Sequence, residues 1–130
     1  MDKDHQAPQR VDAVQYKLGM RTLAAAVNII TGTHSGRRYG MTATAVCSVS
    51  ADPPTLLVCI NKATTTHGAI SKSGAFCVNT LRAEDWELST AFSGAQSGEG
   101  RFKSRDWTHL TTGSPVLIDA LVSFDCRLVK

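Results

Sequence analysis

At 130 residues with 42% apolar content, the chain has room for one domain and one core and is not a disordered segment. Its 14 basic and 11 acidic residues leave a formal charge of +3, spread along the sequence. The clustered basic stripe of a nucleic-acid site is missing, so no nucleic-acid partner is expected, and a small anion suits the chain better than a polyanion. No run approaches the roughly 20 apolar residues that cross a bilayer, and Met1-Asp2-Lys3-Asp4-His5 lacks the apolar centre of a signal peptide. No membrane association and a cytoplasmic location are therefore expected. Cys47, Cys59, Cys77 and Cys126 each sit in an apolar run, with no C-x-x-C pair and no histidine at ligand spacing. They read as buried reduced thiols, and no metal site is expected.

Residues 1–9 are polar, contain Pro8 and read as a loose arm ahead of a single domain over residues 10–130. Between Arg10 and Leu23 the apolar positions Val11, Val14 and Leu18 fall at spacings of three and four, which predicts a helix with one apolar face. Residues 24–33 grow richer in β-branched side chains and run into the turn residues His34-Ser35-Gly36-Arg37-Arg38, which predicts a strand entering a hairpin. The return strand is expected over residues 39–49, ended by Asp52-Pro53-Pro54, where proline cannot donate to a ladder. Residues 55–60, apolar on both faces, predict a deep third strand.

Thr64 to Thr66 then cap a short helix from His67 to Ser73, closed by Gly74. A strand is expected over residues 76–81, and a helix over 84–92 placing Trp86, Leu88 and Phe92 near one face, with Glu84, Asp85 and Glu87 on a solvated face. Residues 93–105 read as a mobile glycine-rich loop, 107–110 as a short strand, and 120–129 as a last strand after the Pro115 turn. Five or six strands with two or three short helices and no βαβ alternation predict a mainly β fold, an antiparallel barrel or sheet with helical excursions.

Two elements carry chemistry. In the first, Gly40, Ala43 and Ala45 allow close backbone approach, while Thr42, Thr44, Ser48 and Ser50 place hydroxyls at two-residue steps on one face, an arrangement able to hold a planar polar heterocycle edge-on. A solvated edge strand would show the same pattern. In the second, Asn61, Lys62 and Thr64 to Thr66 surround a helix start whose free amides and nearby ammonium suit a phosphate, although an ordinary N-cap with a solvated lysine is the stronger reading of this segment taken alone. One offers a ring site and the other a phosphate site a short strand away.

The ordered runs Ala26-Val27-Asn28-Ile29-Ile30-Thr31, Gly40-Met41-Thr42-Ala43-Thr44-Ala45-Val46-Cys47-Ser48-Val49-Ser50, Pro53-Pro54-Thr55-Leu56-Leu57-Val58-Cys59-Ile60-Asn61-Lys62, Phe76-Cys77-Val78-Asn79-Thr80-Leu81, Arg101-Phe102, Pro115-Val116-Leu117 and Ala120-Leu121-Val122-Ser123-Phe124-Asp125-Cys126 resemble the short-chain flavin reductase family, the small components of two-component flavin monooxygenases. The resemblance covers about residues 14–128. It implies an FMN-binding split β-barrel, a homodimer, in which NAD(P)H reduces FMN or FAD and the reduced flavin passes to a partner oxygenase. A flavin-binding split barrel without turnover is the alternative.

By the same resemblance, Met41, Thr42, Ala43, Thr44 and Ala45 would meet the isoalloxazine edge, and Ser48 and Ser50 the ribityl or phosphate. Asn61, Lys62, Thr64, Thr65 and Thr66 would lie near the phosphate, and Arg101 and Phe102 would border the flavin. No catalytic side chain is implied, because the flavin carries the redox chemistry and the protein positions it. The family continues into a strand with a Gly-x-His element associated with NAD(P)H, whereas this chain ends at Lys130 and none of its histidines, His5, His34, His67 and His109, sits in such a context. The implied domain lacks its last strand or strands.

Overall fold

The computed structural model describes residues 8–96 and 98–129. Strand β1 (Asn28–His34) turns back into β2 (Arg37–Ala43) through Ser35 and Gly36, whose φ values of 52° and 74° are those a two-residue hairpin turn requires. On its other side β1 pairs with β5 (Ala75–Thr80), and β5 with β8 (Val122–Arg127), giving an antiparallel sheet of order β2-β1-β5-β8. Two further hairpins stand beside it: β3 (Val46–Ala51) with β4 (Pro54–Val58), and β6 (Trp107–His109) with β7 (Pro115–Leu117). Helices α1 (Ala13–Met20), α2 (Thr65–Ser73) and α3 (Trp86–Thr90) complete the mainly β fold.

The sheet is covered on both faces because consecutive residues of β1 point opposite ways. Ile29 faces Leu81, Leu88, Phe92, Phe102 and Leu117, while Ile30 faces Ile70 of α2, Phe76 and Val78. Phe92 can press against β2 only because that strand carries Gly40: a β-carbon there would lie 2.5 Å from Phe92 Cε1 and 3.4 Å from Phe102 Cζ. Helix α2 begins at Thr65, two residues before the expected start, with Thr64 Oγ1 accepting from the His67 amide at 3.2 Å, and it is closed as expected by Gly74 with φ of 73°.

One polar residue ties the strands together. Asn79 on β5 is fully buried; its amide nitrogen donates to the Ile29 carbonyl (3.1 Å) and toward Thr31 Oγ1 and the Pro115 carbonyl (3.4 Å each). Its oxygen accepts from the Leu117 amide (2.9 Å) and the Ser123 hydroxyl (3.1 Å). A single side chain thus joins β1, β5, β7 and β8.

Several expectations are corrected. The return strand does not run through to Val49: it ends at Ala43, Val46 N donates back to the Thr44 carbonyl (2.9 Å), and Cys59 N takes the Ala45 carbonyl (3.0 Å), so the chain bends out of the sheet into a new hairpin. Asp52-Pro53-Pro54 is the turn of that hairpin, with Ala51 paired to Pro54. Strand β4 is therefore not deep, Leu57 being 52% exposed, and Cys47 and Cys59 are exposed with it; Cys77 is buried and Cys126 half-buried. Strand β5, which reads as alternating, is buried over residues 75–79 because layers cover both its faces.

Helix α1 is shorter than its pattern, with Asp12 as N-cap, and Val11, Val14 and Leu18 are all more than half exposed. Residues 93–105 are not a free loop, since a 3-10 turn, Gly98–Phe102, inserts Phe102 into the core. Among the described residues eight strands form where five or six are expected. Residues 1–7 of the expected arm, Ser97 of the expected loop and Lys130 lie outside the described residues.

Asn79→Ala is expected to destabilise the fold by about 3 kcal/mol, since it leaves buried backbone and hydroxyl groups unpaired in β1, β7 and β8, and the urea unfolding midpoint reads this directly. Gly40→Ala is expected to cost about 1–3 kcal/mol in the same measurement, because Phe92 must leave its rotamer to admit one methyl group.

Candidate functional site

The ring element and the phosphate element meet at one place. Met41, Thr42 and Ala43 end β2, Thr44 and Ala45 form the exposed bend, and Asn61 to Thr64 form the turn ahead of α2. Thr64 Oγ1 lies 4.0 Å from Met41 Sδ, so the two elements adjoin across the open end of the β1–β2 hairpin. The Cys59-to-Ala45 hydrogen bond closes the junction from the other side.

Within the ring element the hydroxyls do not form one continuous ribbon, because the bend at Thr44 separates Thr42 from Ser48 and Ser50. Thr42 Oγ1 donates to the Ser89 carbonyl (2.7 Å), which commits it to holding α3. Thr44 and Ser48 are exposed, and Ser50 Oγ accepts from the Asp52 amide (3.2 Å). The close approach that Gly40 permits is taken by Phe92, and its carbonyl accepts from Arg101 Nη1 (2.6 Å). The surface offered to a ring is thus the backbone and small side chains of residues 43–45.

In the phosphate element, Asn61 and Thr64 shape the turn. Asn61 Oδ1 accepts from the Ala63 amide (2.9 Å), while the Asn61 carbonyl accepts from the Thr64 amide (3.1 Å) and hydroxyl (2.8 Å). Lys62 and Thr65 are exposed, whereas Thr66 is buried and holds α2 to the body of the protein. An exposed ammonium beside a capped helix start is a workable phosphate cradle. His67 is half-buried.

Arg101 and Phe102 divide in role. Phe102 is a core residue, edge-on to Phe92 at 5.0 Å and to Trp107 at 4.9 Å between centroids, and has no surface left for a ligand. Arg101 lies across Phe92, its guanidinium carbon 5.4 Å from the ring centroid, and burial pushes its pKa down. The turn that carries it is fastened to β2 by Glu99, which accepts from the Arg38 amide (3.0 Å) and from Arg38 Nε (2.9 Å). The Arg38 guanidinium holds the Glu99 carboxyl below the usual range and itself stacks 4.5 Å over Phe102. Neither Arg38 nor Glu99 carries a motif, and only the fold brings them together.

Asp85, expected on a solvated face, is 5% exposed and paired with Arg82 (Nη2, 3.1 Å) and Arg105 (Nη1, 2.8 Å). The Arg82 hydrogen bonds, with Arg105 behind them, hold its carboxyl down at about 2 against the opposing effect of burial. Trp86 next to it is 65% exposed rather than part of the core. Burial, with Asp125 nearby, pushes the Cys77 thiol up to about 12, so it is no nucleophile. Among the described residues no cluster of three or more metal-ligating side chains forms, and no helix is long and apolar enough to cross a membrane.

A groove of about 960 Å³ runs between the β3–β4 hairpin, α2 and β8. Ser48 and Ser50 line it, whereas residues 41–45 and 61–65 do not.

The model of the flavin reductase like domain matches residues 20–130. A curated relative from Methylorubrum extorquens strain PA1, named FMN reductase (NADH) RutF 1, is 47% identical over 128 residues, 98% of this chain and 63% of the relative. The chain thus spans less than two thirds of that relative's length. A crystal structure from Haemophilus somnus 129pt superposes with a TM-score of 0.88 at 47% identity, covering 92% of this chain and 77% of that one. The Streptomyces globisporus NADH:FAD oxidoreductase SgcE6 gives 0.83 at 26% identity, covering 96% and 77%. The styrene monooxygenase flavin reductase of Pseudomonas putida S12 gives 0.77 at 25% identity, covering 88% and 73%.

The Asp85 carboxyl, held at about 2 against an ordinary 3.8, favours its ionised form in the fold. Its contribution to stability is complete above about pH 4 and is lost as pH falls toward 2. Urea midpoints measured from pH 6 to pH 2 are expected to drop through that window in the wild type and to be flatter there in Asp85→Asn.

Proposed function

The chain belongs to the flavin reductase like domain family, and from that premise we propose that it binds FMN at the junction of residues 41–45 with residues 61–65 and reduces it with NADH. The single observation that carries the reading is the contact between Met41 and Thr64, which sets a surface for a flat ring directly beside a cradle for a phosphate. The names of the M. extorquens relative and the S. globisporus oxidoreductase support NADH as donor. The former supports FMN, the latter FAD as a second acceptor.

When bound, the flavin supplies the hydride acceptor, so the protein's part is orientation. Residues 43–45 present backbone groups and small side chains to the ring edge, while Ser48 and Ser50, which line the separate groove beside the β3–β4 hairpin, are left out of this site. Lys62 and Thr65 face the phosphate at the α2 start, with Asn61 and Thr64 holding the turn in shape. Thr42 and Thr66 brace the site from the protein side, and Arg101, pinned to the Gly40 carbonyl, fixes β2 where it enters the ring element. Phe102 supports Arg101's turn from the core. A homodimer acting in the cytoplasm and passing reduced flavin to an oxygenase component completes the proposal, supported by the P. putida neighbour, which is named as the reductase of a styrene monooxygenase.

Purified protein mixed with FMN and NADH is expected to oxidise NADH in a flavin-dependent manner, followed at the nicotinamide absorbance band. Retention of FMN without oxidation would leave a binding module in place of an enzyme, and absence of both would overturn the reading. Thr44→Trp, at an exposed position of the bend, is expected to raise the FMN dissociation constant about tenfold or more, a loss of about 1.4 kcal/mol, with an unchanged urea midpoint.

A further inference from the structure

The four cysteines divide into two kinds. Cys77 is buried and donates to Asn79 Oδ1 at 3.6 Å, and the half-buried Cys126 donates to the Phe124 carbonyl at 3.4 Å, so both thiols are committed inside the chain. Cys47, in β3, and Cys59, directly after β4, are exposed. The register puts these two on one face. Val46 pairs with Val58 and Cys47 with Leu57, and the bond from the Cys59 amide to the Ala45 carbonyl (3.0 Å) extends the same ladder by one step, setting Cys59 opposite Ala45. Residues 45, 47, 57 and 59 are exposed, while Val46, Leu56, Val58 and Ile60 between and beside them pack inward against the cluster of Ile70 and Phe76. Ala45, Cys47, Leu57 and Cys59 are thus the corners of one exposed rectangle, with the two thiols across its diagonal and only a methyl group at one of the other corners.

The length of that diagonal selects the chemistry. Diagonal neighbours in an antiparallel pair lie about 7–8 Å apart between α-carbons, beyond the roughly 4.4–6.8 Å that a disulfide spans without backbone movement. A metal ion held between two thiolates, about 2.3 Å from each, lets the sulfurs stand about 4.6 Å apart, against about 2 Å in a disulfide. Tetrahedral zinc would need further ligands, and among the described residues no group of three metal-ligating side chains forms. A soft ion satisfied by two sulfurs needs none. We infer that Cys47 and Cys59 form a two-thiolate site for a soft d10 ion of the cuprous class on the outer face of the β3–β4 hairpin. Binding forms two metal–sulfur bonds, releases the two thiol protons to solvent and moves no electrons.

Anaerobic titration of the reduced full chain with cuprous ion, against a chromogenic cuprous chelator, tests the site, with the thiolate-to-copper absorbance in the ultraviolet read alongside. Wild type is expected to hold one ion per chain, and Cys47→Ser and Cys59→Ser each to lose it to the chelator together with the ultraviolet band. Because both positions are exposed, the urea midpoints of the serine variants are expected to match the wild type, so that loss of the ion reports the site and not the fold. Surrender of the ion by the wild type, its retention by either variant, or a stoichiometry of one ion per two chains overturns the inference. None of these results depends on FMN, so the proposed function stands or falls separately.

Discussion

A buried amide side chain has two donors and an oxygen with two lone pairs, and leaving any of them unmatched in an apolar core costs more than a matched pair returns. Asn79 of β5 meets that constraint by drawing on three other strands at once: the Ile29 carbonyl of β1, Pro115 and Leu117 of β7, and Ser123 of β8. A slip of β5 against β1 or β8 would break several of these bonds together, so Asn79 fixes register as well as cohesion. Strand β2 inherits that register through its pairing with β1, Thr42 opposite Ile29 and Gly40 opposite Thr31. The position of the ring element is therefore set from the middle of the sheet.

A second layer stiffens β2 from its outer face. Phe92 and Phe102 pack beneath Gly40, Phe102 meeting both Phe92 and Trp107 edge to face, and Arg38 and Arg101 lie over Phe102 and Phe92. Glu99 closes the arrangement by gripping Arg38 through both backbone and side chain. Exposed ion pairs contribute little to stability taken singly. Here the pair matters for position, because it carries Arg101 to the Gly40 carbonyl, one residue before the proposed ligand surface begins. A site that orients a flat cofactor gains more from such rigidity than from added contacts.

The bend at Thr44 and Ala45 links this frame to function. A strand continuing straight through these residues would have spent their backbone groups on a ladder. Leaving the sheet there spends the Thr44 and Ala45 carbonyls on Val46 and Cys59 instead, and delivers the chain to the β3–β4 hairpin, whose return strand ends beside the turn of Asn61 and Lys62. The exposed faces of that hairpin, with Cys47, Leu57 and Cys59 in the open, follow from the same departure.

Local pattern alone determined much of this protein. The Ser35-Gly36 hairpin turn, the Thr64 cap, the Gly74 stop, the mainly β character and the ordered runs that place the chain in its family all rest on interactions between residues close in sequence, where backbone preference decides. The sequence set the ring and phosphate elements a short strand apart, whereas the whole β3–β4 hairpin lies between them, so the contact of Met41 with Thr64 belongs to the tertiary structure. What only the tertiary structure decided depends on distant neighbours. Gly40 serves Phe92 instead of a ligand, Thr42 is spent on Ser89, Phe102 belongs to the core, Asp85 is buried between two arginines and Trp86 is left in the open. Hydropathy registers how apolar a side chain is, while burial depends on which segment arrives to cover it, and residues tens of positions apart supply that cover here.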